Sequence, residues 1–228
     1  MRRPVLSGTV IAVLALATTV APVAVAEPGG SGCQLDGTAA FTPNGPGNLG
    51  TFGYSLTGTL SNCNSSRAGA PADGTMAVGK VVTESVPITT STGVVQGTAQ
   101  YQEPLASGTG AIPVNSCGAG STSGTGVVTW PDGTATVVDY TTNDAGPAVS
   151  LQGSVVAAAT ATLVPGSEQP AGNAPSTYTI TTNNPTTLVG DGVQGAIAFS
   201  TDAPDACTTD AGLAAVTVTG AVGLGSTQ

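Results

Sequence analysis

The sequence predicts an all-β fold: a single-domain antiparallel β-sandwich or flattened β-barrel with two disulfides. Three observations predict it. Short runs rich in Val and Thr alternate in polarity, and turns bearing Gly, Pro, Asn or Asp separate them. No segment carries a convincing 3.6-residue apolar period. Four cysteines stand in a chain whose first residues read as an export signal, a context in which cysteines pair.

The signal is read over residues 1–26. Arg2 and Arg3 give a positive start, an apolar run centres on Val10 to Ala17, and Ala24-Val25-Ala26 is a small-x-small cleavage site. The apolar run falls short of the ~20 residues that span a bilayer. The mature chain, 27–228, is therefore expected to be secreted, without membrane insertion. Past residue 26 only Arg67 and Lys80 are basic, against thirteen acids in the chain. A chain this acidic offers no electrostatic footprint for nucleic acid or anionic lipid.

The elements follow in order. A short leader precedes a first strand, 33–42, closed by Pro43. The next, 51–60, alternates with Phe52, Tyr54 and Leu56 on one face and delivers Cys63 near the first strand. Order along the chain thus favours Cys33–Cys63 and Cys117–Cys207 among the three possible pairings. After a polar loop, 64–74, one long strand is expected over 75–88, with Met76, Val78, Lys80 and Val82 on one face. Strands over 94–102 and 106–117 follow.

The strongest local signal is the hairpin over 122–142. Val- and Thr-rich arms flank Trp130-Pro131-Asp132-Gly133. Pro131 presets φ for the second turn position, and Gly133 supplies the positive φ that closes such a loop. Pairing Trp130 with Thr134 puts Val128, Trp130, Val138 and Tyr140 on one face. Val127 and Val137 take the other, so both faces are expected to be covered. Strands over 148–156 and 160–164 come next, then a proline-rich surface excursion at 165–176. Strands at 178–182, 188–200 and 213–224 complete about ten candidates, with an acidic loop around Cys207 before the last.

Certain spacings carry a resemblance. They are Gly37-x-x-x-Phe41-x-Pro43, Tyr54-x-Leu56-x-Gly58-x-Leu60-x-x-Cys63, and Cys117 with Gly124-x-Gly126-x-Val128-x-Trp130-x-Asp132-Gly133. Leu151-x-Gly153-x-Val155 and Cys207 followed by Gly212 and Thr219-Gly220 extend it. The chain resembles small secreted all-β proteins of actinobacteria. That resemblance implies a disulfide-bonded exported β domain of unassigned function, and it carries over no catalytic residue. The stretches around 84–113 and 165–176 depart from it and read as elaborations at one end of the fold.

Composition limits the chemistry. There is no histidine, so Ser-His-Asp and Cys-His catalysis are excluded, and transition-metal sites lose their usual imidazole ligands. Asp36-Gly37-Thr38, Asp73-Gly74-Thr75 and Asp132-Gly133-Thr134 invert the order found in aspartic proteases and read as Asp-Gly turns ahead of strands. Asp202, Asp205 and Asp210 are candidate calcium ligands, set against plain solvation of their loop. Trp130 and Tyr140 are candidate ligand contacts, set against a place in the core. Lys80 reads as a surface lysine whose stem lies along a strand. No cofactor is expected. The leading expectation is a non-enzymatic module with a binding or structural role outside the cell or in its envelope. Its partner would be a protein or a small apolar ligand. The alternatives are a barrel-type carrier of a small apolar ligand and a carboxylate-dependent hydrolase.

Overall fold

The computed structural model describes residues 31–42, 50–110, 121–144, 149–202, 205 and 213–226. They form thirteen strands and two sheets. Of the two architectures expected, the larger sheet is the barrel.

Eight strands close it: β1 (Ser31–Thr42), β2 (Gly50–Ser65), β3 (Gly74–Val78), β7 (Thr122–Thr129), β8 (Ala135–Asp144), β9 (Val149–Val156), β12 (Gly192–Ser200) and β13 (Ala215–Ser226). Every neighbouring pair is antiparallel, and β1–β2 pairing seals the ring. Alternation along each strand sends one set of side chains inward. Leu35, Leu56, Leu60, Val78, Val128, Val138, Leu151, Val155, Val218 and Val222 all belong to one buried cluster. Closure removes the open edges that a sandwich would keep.

The central hairpin forms as its turn chemistry dictates. The Trp130 N–H donates to the Thr134 carbonyl at 2.9 Å, and the Gly133 N–H to the Trp130 carbonyl at 3.0 Å. Gly133 has φ +82°. Val128, Trp130, Val138 and Tyr140 share the barrel interior. Val127 and Val137 face outward and are buried there too. The Cys33–Cys63 disulfide links β1 to β2. It lies where the β1–β2 register shifts and where Asn62 takes φ +51°. Cys117 and Cys207, and so the second expected bridge, lie outside the described residues.

The stretch over 75–88 departs from expectation. It is two strands, because Gly79 turns the chain with φ +61°. Met76 and Val78 stay in the barrel, whereas Lys80 is exposed and Val82 packs in the second sheet. The chain leaves the barrel at Gly79, runs through β4 (Val81–Thr90) and β5 (Gly93–Gln102), and returns as β6 (Ala106–Gly110). β3 pairs with Leu56–Leu60 of β2, and β6 with Gly50–Tyr54. Both also pair with β7. One barrel position is therefore filled by two short strands, and the β4–β5 hairpin emerges from the break between them.

A second excursion starts after β9. It forms β10 (Ala158–Leu163) and β11 (Thr177–Thr181), which join β4–β5 in a four-stranded sheet ordered β11-β10-β5-β4. β10 therefore lies in a different sheet from β9, although only one residue separates them. The stretch 165–176 remains at the surface but is pinned down. Gln169 exchanges backbone hydrogen bonds with Thr98 of β5, and Asn173 does so with Thr89 of β4. The Tyr101 hydroxyl donates to the Pro175 carbonyl at 3.1 Å. This strap covers a small core of Val86, Ile88, Ala99, Tyr101 and Ala161.

Candidate functional site

Among the described residues, the barrel's inward side chains pack against one another. Trp130 is 4 % exposed, and its Nε1–H donates to the Thr136 hydroxyl at 2.9 Å. Tyr140 is 5 % exposed, with its hydroxyl 2.6 Å from that of Tyr54. Tyr54 in turn meets Thr122, and Thr122 meets Thr142. Burial raises the phenol pKa of Tyr140 well above its ordinary value, and the neighbouring Tyr54 adds to the rise. Both candidate contact residues are thus core residues with satisfied polar atoms. Asp202 and Asp205 are exposed, and Asp210 lies outside the described residues. Among the described residues no three His, Cys, Asp or Glu side chains gather as a metal site.

Open space lies outside the barrel, in a groove of about 660 Å³. Its floor is the outer wall of β13, β1, β2, β3 and β7. Register places Thr217, Thr38, Thr57, Ala77 and Val127 in one cross-strand row. Asp36, Thr59, Thr75 and Thr129 form the next. Strands stand ~4.8 Å apart and successive residues on one face ~6.8 Å apart, so the hydroxyls make a regular lattice. All six threonines lining the groove, Thr38, Thr57, Thr59, Thr75, Thr129 and Thr217, line it from a strand and are exposed. Asp36-Gly37, read from sequence as a turn, sits inside β1 with Asp36 facing the groove.

The groove's side wall is the neck of the first excursion, where Lys80, Val82 and Glu103 line it. The chain leaves at Lys80 and returns at Glu103. The Glu103 N–H donates to the Lys80 carbonyl at 2.9 Å, and the Lys80 N–H donates to Glu103 Oε2 at 3.0 Å. Glu103 is only 3 % exposed. Its second oxygen, Oε1, accepts no hydrogen bond from any described residue. Burial raises the Glu103 carboxyl above its ordinary value, against the opposing pull of the Lys80 N–H and the Lys80 charge. A buried carboxylate with half its acceptor capacity unused is costly in its charged form.

Sequence reading missed Glu103 altogether. It lies in the polar connection Gln102-Glu103-Pro104, and the only hint was Pro104, which ends a strand. What makes it special is Lys80, 23 residues earlier, and that contact exists only because the excursion closes on itself.

A further ionic feature ties the second excursion to the barrel. Arg67, in the loop after β2, reaches Asp191 through Nη1 at 2.7 Å and Nη2 at 3.3 Å. It also donates to the Thr186 carbonyl. Asp191 is 5 % exposed and accepts the Leu188 N–H as well. Burial pushes its carboxyl up, but the Arg67 hydrogen bond, the Leu188 N–H and the Arg67 charge outweigh it, leaving the carboxyl below its ordinary value.

No family model, curated protein or solved structure matches the chain. Among the described residues no helix is long and apolar enough to cross a membrane.

Proposed function

We propose that this protein is an exported, non-enzymatic binding module whose ligand surface is the external groove. The observation that carries the reading is where space and polar groups lie. Among the described residues the barrel's inward side chains pack into one apolar cluster, while the groove holds exposed hydroxyls and a carboxylate with an unused oxygen. A carrier of an apolar ligand needs the reverse, an apolar-lined cavity. The barrel is also apolar inside and threonine-rich on this outer wall, opposite to a transmembrane barrel.

Export is supported by the leader read from the sequence and by the Cys33–Cys63 bridge, since disulfides persist in oxidising compartments. A second bridge, Cys117–Cys207, belongs to the same proposal. With Cys33 and Cys63 paired, only these two remain. They fall on the β6–β7 and β12–β13 connections, which leave the same end of the barrel because β6 and β12 both run in the direction of β1.

Binding is favoured over hydrolysis by the spacing of the acids. Asp36 is on β1, two strands from β3, whose end leads into Lys80 and Glu103. That is ~10 Å across the wall and, from the Thr75 row that Asp36 shares to Val78, another ~10 Å along β3, backbone to backbone. Carboxyl pairs of glycosidases stand about 5–5.5 Å apart in retaining enzymes and about 6.5–9.5 Å in inverting ones.

The test is an NMR titration of ¹⁵N-labelled protein with a long-chain fatty acid and with neutral, anionic and cationic oligosaccharides. Shifts at Thr38, Thr57, Thr75 and Thr129 with an oligosaccharide are expected. Shifts confined to Val128, Leu151 and Val218 with the fatty acid, or no groove shift with any probe, would overturn the reading.

A further inference from the structure

The groove's chemistry narrows what it would hold, given the binding role proposed above. We infer that it is a subsite for an ammonium group borne on a hydroxylated ligand, the chemistry of an amino sugar. The ammonium would donate to the free Oε1 of Glu103, and the ligand's hydroxyls would exchange hydrogen bonds with the threonine floor.

Four observations support this. Glu103 is 3 % exposed and lines a groove of about 660 Å³, a space large enough for a ligand. Its free oxygen can only accept when the carboxyl is ionised, and an N–H⁺ donor gives the strongest partner. Asp36 adds a second negative charge on the opposite side of the floor, with no described residue in hydrogen-bonding or ion-pair contact with its carboxylate. The floor itself presents hydroxyls, each able to donate and accept, which suits hydroxyls and poorly suits an apolar chain.

Lys80 is the competing cation. It lines the same groove, its charge acts on Glu103, and it makes no ion pair with any described residue. A ligand ammonium would displace the influence of Lys80 and not cooperate with it. An anionic ligand would instead need Lys80, so the two cases give opposite results when Lys80 is removed.

The ionisable groups lining the groove are Asp36, Lys80 and Glu103. Because burial holds the Glu103 carboxyl above its ordinary value, affinity for an ammonium rises as pH increases through that raised value. The ligand amine must itself stay protonated, so affinity falls again once pH passes the amine's own pKa.

The experiment is calorimetric titration with the glucosamine trimer, its fully N-acetylated counterpart and spermidine. Groove residues are followed by NMR in parallel. The glucosamine trimer is expected to bind best. Glu103→Gln keeps an oxygen to accept the Lys80 N–H but removes the charge, and is expected to weaken the trimer roughly 10- to 100-fold. Lys80→Met is expected to strengthen it. Equal binding of the N-acetylated trimer, no effect of Glu103→Gln in a folded protein, or weakening by Lys80→Met would each overturn the ammonium assignment. Spermidine bound as tightly as the trimer would overturn the hydroxyl half. If the N-acetylated trimer binds best with shifts in the groove, this inference fails and the groove reading survives; if no probe moves a groove resonance, the groove reading itself has failed.

Discussion

The barrel and the inserted sheet are made from the same residues, Val, Thr, Ala and Gly, yet they hold together differently. The barrel's strands are paired on both edges around the ring, and its interior is one continuous apolar cluster. The inserted sheet has two outer strands, β4 and β11, and a core cluster of only five buried side chains among the described residues. It compensates with the strap over 165–176, which docks on both strands of the β4–β5 hairpin. A closed sheet draws stability from closure and a common interior; an open one of four short strands depends on what is laid over it. The groove lies at their junction, floored by the barrel and walled by the neck of the inserted hairpin.

That contrast can be broken first by attacking the barrel. Trp130→Ala removes the largest side chain of its interior and, with it, the Nε1–H that donates to the Thr136 hydroxyl, which keeps its bond to Thr187. A loss of about 3–5 kcal/mol is expected, seen as a lowered midpoint for the whole molecule in denaturant unfolding. If the inserted sheet instead unfolds separately while the barrel midpoint stays put, the barrel is not the stabilising unit.

The tie between the two is the next target. Arg67→Met leaves the buried Asp191 carboxylate with the Leu188 N–H but no cation. A cost of about 1.5–3 kcal/mol is expected at neutral pH. The folded-state pKa of Asp191 is depressed, so its contribution is present above the ordinary carboxylate pKa and is lost as pH falls below it. The gap between wild type and Arg67→Met should therefore narrow in acid. An unchanged gap from neutral to strongly acidic pH would show that the pair contributes nothing through its charge.

The smallest effect is expected in the sheet. A Cβ at Gly97 would meet the Gln169 carbonyl and the Ile88 side chain. Gly97→Ala should displace the strap and speed amide hydrogen exchange at Thr98, Gln169 and Asn173, leaving the slowest barrel amides within about twofold of wild type. Faster exchange at Val128 and Val138 to the same degree would mean that both sheets open as one unit.

Several features were legible in the residues alone because their causes are local. Trp130-Pro131-Asp132-Gly133 closes a hairpin by its own backbone preferences, and the pairing of Trp130 with Thr134 follows from the loop length. The inward faces of β2, β7 and β8 follow from two-residue alternation. Cys33 and Cys63 pair because adjacent strands carry them together. The division of 75–88 was hidden: Met76, Val78, Lys80 and Val82 keep one alternation through the break at Gly79, so periodicity could not register that the chain changes sheets. Asp36-Gly37 carries a local turn preference, yet the strand expected over 33–42 runs through it, because β1 is paired on both sides. Of the two stretches read as elaborations, residues 84–102 build half of the second sheet, and 165–176 bridges onto it through Gln169 and Asn173.

The sequence by itself determined that this chain is all-β, where its central hairpin turns, which faces are apolar and which catalytic groups it lacks. These are consequences of backbone preference, alternation and composition, each settled within a few residues. Only the tertiary structure decided that the ends of the sheet meet, that β3 and β6 share one place in the ring, and that Lys80 and Glu103 face each other at the neck. Those outcomes depend on contacts between residues far apart in the chain, and nothing within a short window specifies which distant partner a strand or a carboxylate will find.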